Sequence, residues 1–291
     1  MSNNFSYNSK PITNTNEKSV LANRNLHARD ANIKFYQRGH RYEITTDPLK
    51  KYTSVTTMVH SHFPKFDADA IIAKIMKSKG WAPGHKYWGM TPEEIKASWN
   101  SSGTAAATSG TNLHEQIECF MNEKCLLFDY TQKELLQQYQ ISEKYNKEPR
   151  SIEWNFFIRF VEDHPHLKPY RTEWMIYHEE VKIAGSVDMV YENADGTLEI
   201  YDWKRSKEIT KVTNWNEYAT NPLIKHLPST NFWQYALQLN TYKKILEDKY
   251  DKTVTKLCLV RIHPDAEEGT YELLEVPFLT KEISDLFNER L

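Results

Sequence analysis

Cysteine is scarce: Cys119, Cys125 and Cys258 are the only three in 291 residues, and no two stand in CxxC spacing. Three thiols cannot build a disulfide framework or supply the four thiolates of an iron–sulfur cluster, so no such cluster is expected. A reducing compartment suits the chain. Long apolar runs are also missing, and none approaches the ~18–20 residues that span a bilayer. The first thirty residues lack the apolar stretch of a secretory signal. Rich in Asn and Ser, residues 1–30 read as a flexible arm. Lys10, Lys18, Arg24 and Arg29 admit a mitochondrial transit peptide, but Glu17, Asp30 and the lack of an amphipathic repeat weigh against it. A positive net charge is absent too: 37 Lys and Arg against 39 Asp and Glu gives −2. That balance does not advertise nucleic-acid binding. It excludes little, because a site that holds cations on carboxylates attracts phosphate locally.

What is present falls into two stretches. Up to about residue 163 the chain reads as mostly helical. Residues 32–46 alternate as a hairpin about Arg38 and Gly39. Ser54 N-caps a short helix to His62, stopped by Pro64. Another helix spans about 67–79, and Thr91-Pro92-Glu93-Glu94 is a capping box with proline at the first helical position. This helix is expected to end near Gly103, with a further one over about 104–122. Two more, over 131–147 and 150–163, are separated by Pro149. The periodicity then turns to two: 170–178, 181–192 and 197–204 are strands, the last two joined by the turn Asn193-Ala194-Asp195-Gly196. A loop of about two dozen residues leads to a helix at about 230–249, strands at 254–262 and 271–276, and a last helix from Thr280.

The chemistry concentrates on the hairpin. Counting back from its turn puts Asp188 opposite Asp202 or one residue away. Facing residues on paired strands sit ~4.5–5.5 Å apart, so two carboxylates there repel unless a cation lies between them. Hard oxygen ligands suit Mg2+ or Mn2+. Lys204 is two residues from Asp202 and shares its face, where an ammonium can position a water or neutralise charge in a phosphorane-like transition state. The plain alternative is a surface salt-bridge cluster. Against it, Ile183, Val187, Met189, Val190, Leu198, Ile200, Tyr201 and Trp203 leave little polar face, and charges in such strands are paired or functional.

GSVD at 185–188, a turn, then IYDWK at 200–204 resembles the GxxD…(D/E)xK signature of the RecB-like exonuclease branch of the PD-(D/E)XK nuclease superfamily. GTNLHEQIE at 110–118 resembles the helix that carries this branch's histidine. FWQYALQLNTYKKIL at 232–246 resembles its QxxxY helix, with Gln238 and Tyr242. Glu173 matches an acidic residue on the preceding strand. Order and separations agree over about residues 104–262. The chain is similar to mitochondrial genome-maintenance and viral or phage recombination exonucleases, including the SVT at 54–56. The resemblance implies His114, Asp188, Asp202 and the main-chain carbonyl of Trp203 as metal ligands. It also implies that Lys204 orients or activates the attacking water, and that Glu173 holds a second cation or an outer water. Gln234, Gln238 and Tyr242 would form a polar stripe toward the site or the DNA. Smaller expectations attach to Ser54 and Thr56 as a phosphate-binding helix start, the alternative being a plain N-cap. Arg205, Lys207 and Lys211 are candidates to grip the backbone. Trp215, Tyr218, Phe232, Trp233 and Tyr235 include one or two possible base-stacking rings, most of them being core.

The implied architecture is α/β: a restriction-endonuclease-like core, a mixed central sheet flanked by helices, with an N-terminal helical lobe. The expected divisions are the arm (1–30), a hairpin and helical lobe (31–103), and the nuclease core (104–291) with a helical insertion at about 123–165. Lobe and insertion together could arch over the site, favouring single strands or free ends. The implied reaction is in-line attack of water on a DNA phosphodiester, expelling the 3′-oxygen and leaving a 5′-phosphate, with one or two Mg2+ or Mn2+ ions. Rival readings are a flap or junction endonuclease and a non-catalytic nucleic-acid-binding module. No GxxxxGK[ST] loop is present, so ATP-driven unwinding would fall to a partner helicase or replication or recombination protein. No membrane partner is expected. The expected location is intracellular, in the cytoplasm of a phage- or virus-infected cell or the nucleus, with the mitochondrial matrix as the alternative.

Overall fold

The computed structural model describes residues 11–14, 19–123, 130–142, 150–213 and 216–291. The helical continuation expected over 143–147, Cys125 and Trp215 lie outside the described residues. The chain begins with β1 (Ile12–Thr13), α1 (Val20–Arg24), a short 3-10 helix (Ala28–Asn32) and the expected hairpin, β2 (Ile33–Tyr36) and β3 (Arg41–Ile44). β1 adds antiparallel to β2, making a small three-stranded sheet. Next come β4 (Thr53–Ser54), α2 (Val55–Ser61), α3 (Ala68–Met76), α4 (Pro92–Met121), α5 (Gln132–Ile141) and α6 (Ile152–Asp163). The second half holds β5 (Lys168–His178), β6 (Ile183–Glu192), β7 (Leu198–Lys204), a 3-10 turn (Pro222–Ile224), α7 (Asn231–Lys249), β8 (Val254–Arg261), β9 (Glu272–Glu275) and α8 (Thr280–Asn288).

The larger sheet mixes directions. β6 pairs antiparallel with β5 and β7, β8 runs parallel to β7, and β9 returns antiparallel to β8. A parallel pair needs a long crossover, and α7 supplies it. Alternation then sorts β7 between two helical layers. Leu198 and Ile200 pack with residues of α2, α7 and α8, while Tyr201 and Trp203 pack with residues of α4, α5 and α6. The architecture is the expected mixed sheet flanked by helices, consistent with a restriction-endonuclease-like fold.

β6 changes partner along one edge, and this opens the sheet where the acidic residues lie. Residues 189–192 pair with β7, whereas Ile183 and Ala184 pair with Thr53 and Ser54 of parallel β4. Ile183 and Val187 face the α7 layer, but Met189 and Tyr191, of the same parity, face the α4 layer. The inversion falls at Asp188. On the neighbouring strand Glu173 has φ +43°, the left-handed region that non-glycine residues seldom occupy. Thr172 pairs with Met189 and Trp174 with Val187, so Glu173 and Asp188 stand at one level.

Two expectations are corrected here. Gly103 does not end a helix: α4 is continuous over 30 residues. A helical glycine costs only ~1 kcal/mol, too little to stop a helix that has no cap or proline there. Residues 101–108 are exposed all round, while Lys96 and Trp99 reach Asp69 and Phe66, and Leu113, Ile117, Phe120 and Met121 are buried in the core. Nor do residues 11–14 and 19–30 form a flexible arm. Leu21 is fully buried, and buried Asp30 accepts hydrogen bonds from Asn14, Trp174 and Arg171. Composition hid this because much of the segment is held by polar pairing, which a hydrophobicity count does not register.

Candidate active site

The two aspartates meet as the turn count suggested. Met189 pairs with Tyr201 and Val190 with Ile200, a register that carries Asp188 opposite Asp202. The backbone of Trp203 clamps the cluster at both ends. Its N–H donates to Asp188 Oδ2 at 3.1 Å, and its carbonyl accepts from His114 Nε2 at 3.0 Å. The Trp203 indole points the other way, edge-on to Phe157 and Phe160. With Nε2 held by that carbonyl, His114 presents Nδ1 to Glu173 Oε1 at 3.5 Å and Asp188 Oδ2 at 3.6 Å. Ser186, which alternates with Asp188 along β6, donates to Glu173 Oε2 at 3.0 Å.

Asp202 is the most enclosed member, only 1% exposed, and its Oδ1 accepts no hydrogen bond from any described residue. Its compensation is ionic: Lys204 Nζ stands 2.5 Å from Oδ2. Lys204 is in turn covered by the Tyr235 ring, whose centroid is 4.6 Å from Nζ. Burial drives Asp202 up to about 6, and the charge of Asp188 adds to the rise. Burial also raises Asp188, against the pull of His114. For Lys204 burial works against the ammonium, yet Asp202 and Asp188 outweigh it and hold the group above the ordinary lysine range. His114 behaves alike: burial lowers it, but Asp188 and Glu173 win and push it up to about 9.

This donor set fits a divalent cation. Ligand atoms of His114, Glu173 and Asp188 lie within 4.8 Å of one another. A buried carboxylate with one oxygen lacking a donor among the described residues, beside a second carboxylate, is what a hard cation would satisfy.

The other expected residues are placed as follows. Gln238 Nε2 donates to the Tyr242 hydroxyl at 3.0 Å, and Tyr242 is itself buried. Its ring lies against Gly185, where an added Cβ would stand 2.7 Å from Tyr242 Cε1 and 2.9 Å from Val55 Cγ2. The glycine of GSVD and the tyrosine of QxxxY are thus one packing contact. Gln234 is half-buried in the first turn of α7. Ser54 spends its hydroxyl on capping α2 through Thr57 N–H, and Thr56 is exposed. Arg205 is paired with Glu153 at 2.9 Å, while Lys207 is largely exposed. Phe232 is core, Trp233 donates to the Lys211 carbonyl, and Tyr218 is exposed. Tyr235, expected as core or a base-stacking ring, lies instead over the Lys204 ammonium. Ser186 and Glu153 were not among the expected residues; alternation with Asp188 was the signal for Ser186, and no local pattern marked Glu153.

The profile of the PD-(D/E)XK nuclease superfamily matches residues 91–289. The chain belongs to this superfamily, which makes it a nuclease-type hydrolase whose chemistry depends on divalent metal. No individual protein of curated function matches it. Among the described residues no helix is long and apolar enough to cross a membrane.

Proposed function

We propose that the protein is a Mg2+- or Mn2+-dependent deoxyribonuclease of the RecB-like exonuclease branch, acting on single strands or DNA ends in replication, recombination or repair. The observation that carries the reading is the cluster of His114, Glu173 and Asp188 beside buried Asp202, whose Oδ1 lacks a donor among the described residues and whose Oδ2 faces Lys204. His114 Nδ1, Glu173 and Asp188 would hold the cation, with Asp202 completing the acidic set and the Trp203 carbonyl at its edge. A bound divalent cation supplies Lewis acidity toward phosphate and eases ionisation of water. Lys204 stays protonated, so its part is to orient the attacking water and offset charge on the phosphate rather than to accept a proton. The contact between Gln238, Tyr242 and Gly185 supports the RecB-like assignment, since it joins two of that branch's motifs. Exposure of α4 between the lobe and the core supports an arch beside the site, and with it a preference for ends.

End-labelled linear and circular single-stranded DNA, incubated with Mg2+ or Mn2+ beside Asp202→Ala, tests this. Metal-dependent loss of the linear substrate alone, absent in the variant, is the expected result. Cutting of the circle would move the reading to an endonuclease. Tight binding without cutting would leave a nucleic-acid-binding module.

A further inference from the structure

We propose that Tyr42 of β3 donates its hydroxyl to a phosphate oxygen of the nucleic-acid strand at the cluster, an inference that rests on the nuclease reading. The hairpin that carries Tyr42 lies outside the residues matched by the superfamily. A cavity of about 560 Å³ nevertheless joins the two, with His114, Glu173 and Ser186 on one wall and Tyr42 and Phe35 on the other. The Tyr42 ring is fixed, packed with Met175, Tyr177 and Ala184 and tilted on Phe35 at 4.9 Å between centroids. The residue is only 7% exposed, and its hydroxyl makes no hydrogen bond to any described residue yet is not sealed off from solvent, so at this cavity it is free to meet an incoming acceptor.

The charges around the cavity say what that is. Glu115, Glu118 and Glu173 line it, and the nearest cations, Lys204 and His114, are already set against Asp202, Asp188 and Glu173. An anionic strand entering here needs a donor not yet committed. A phenol is protonated at neutral pH and donates without needing a counter-ion. Tyr42 lines the same cavity as His114, Glu173 and Ser186, so the oxygen it would reach belongs to the phosphate held at the cluster.

Tyr42→Phe removes the oxygen and keeps the ring. On a short single-stranded DNA in Mn2+, kcat/KM should fall roughly 10- to 100-fold, as expected for a hydrogen bond to a charged group. The metal-free melting temperature and the calorimetric Mn2+ affinity should match the wild type, because the hydroxyl has no partner to lose among the described residues. Unchanged kcat/KM overturns the proposal and leaves the nuclease reading standing. A parallel loss of Mn2+ affinity, or a clearly lower melting temperature, also overturns it, since the hydroxyl would then act on the ligands or the fold. If the wild type cuts no substrate in either metal, the nuclease reading fails and this proposal with it.

Discussion

Lys204 and Asp202 are held in a place where neither charge is comfortable alone. Lys204→Ala should lower kcat by about 10²–10³, the scale of losing a charge-stabilising group in a shielded site. DNA binding, measured by fluorescence anisotropy in Ca2+, should be retained; a matching loss of affinity would assign Lys204 to binding instead. Asp202 makes the opposite case for stability. Burial, with the charge of Asp188 added, raises its carboxyl from 3.8 to about 6 in the folded protein, so ionising it costs the metal-free fold stability. The raised value means that stability is present while the group is protonated, below about pH 4, and is lost as pH climbs through 6. Asp202→Asn carries no such loss. Without metal it should melt several degrees above the wild type at pH 8, with the gap closing toward pH 4. Added Mn2+ should then raise the wild type more than the variant, because the cation binds the folded acidic set. A variant that melts lower at pH 8 would show that Asp202 anchors Lys204 more than it repels Asp188.

Between elements, the decisive contact is where α7 crosses β6. Gly185→Ala would force a Cβ into Tyr242 and Val55, and overpacking of this kind costs typically 1–3 kcal/mol. Urea unfolding should show that loss. In a Tyr242→Leu background the same substitution should cost less than alone, a coupling expected only of touching residues. Additive costs would mean the β6 backbone yields instead. This contact also marks the limit of what the sequence makes legible. The face shared by Asp202 and Lys204, and its meeting with Asp188, could be read because strand alternation and the 193–196 turn act over a few residues. The switch of β6 from β7 to β4 joins Thr53 to Ile183, across 130 positions, and leaves no periodic trace. Likewise the left-handed backbone of Glu173 and the continuity of α4 through Gly103 are set by tertiary packing, which overrides local propensity.

At the scale of the whole molecule, one buried ion pair fastens the N-terminal segment to the sheet and so holds the far wall of the cleft. Arg171 and Asp30 are buried and 2.7 Å apart. Asp30 also accepts from Trp174 Nε1, Asn14 Nδ2 and the His27 N–H, and Asn14 bonds both main-chain groups of Met175. Two of the Arg171 nitrogens, Nε and Nη2, have no acceptor among the described residues, so its charge depends heavily on Asp30. Asp30→Ala should therefore destabilise by about 3–5 kcal/mol, the cost of leaving a buried charge without its partner. Replacing both, Asp30→Leu with Arg171→Met, should cost less than the single change, because the unpaired cation goes with its partner. Denaturant midpoints compare the two directly. Arg171 lies two residues from Glu173, and Asn14 follows β1, the strand that carries the hairpin through β2. Loosening this strap should thus lower nuclease activity at temperatures where the protein is still folded, although no metal ligand has changed. Activity in Asp30→Ala equal to wild type at low temperature would instead make the strap a stability device alone.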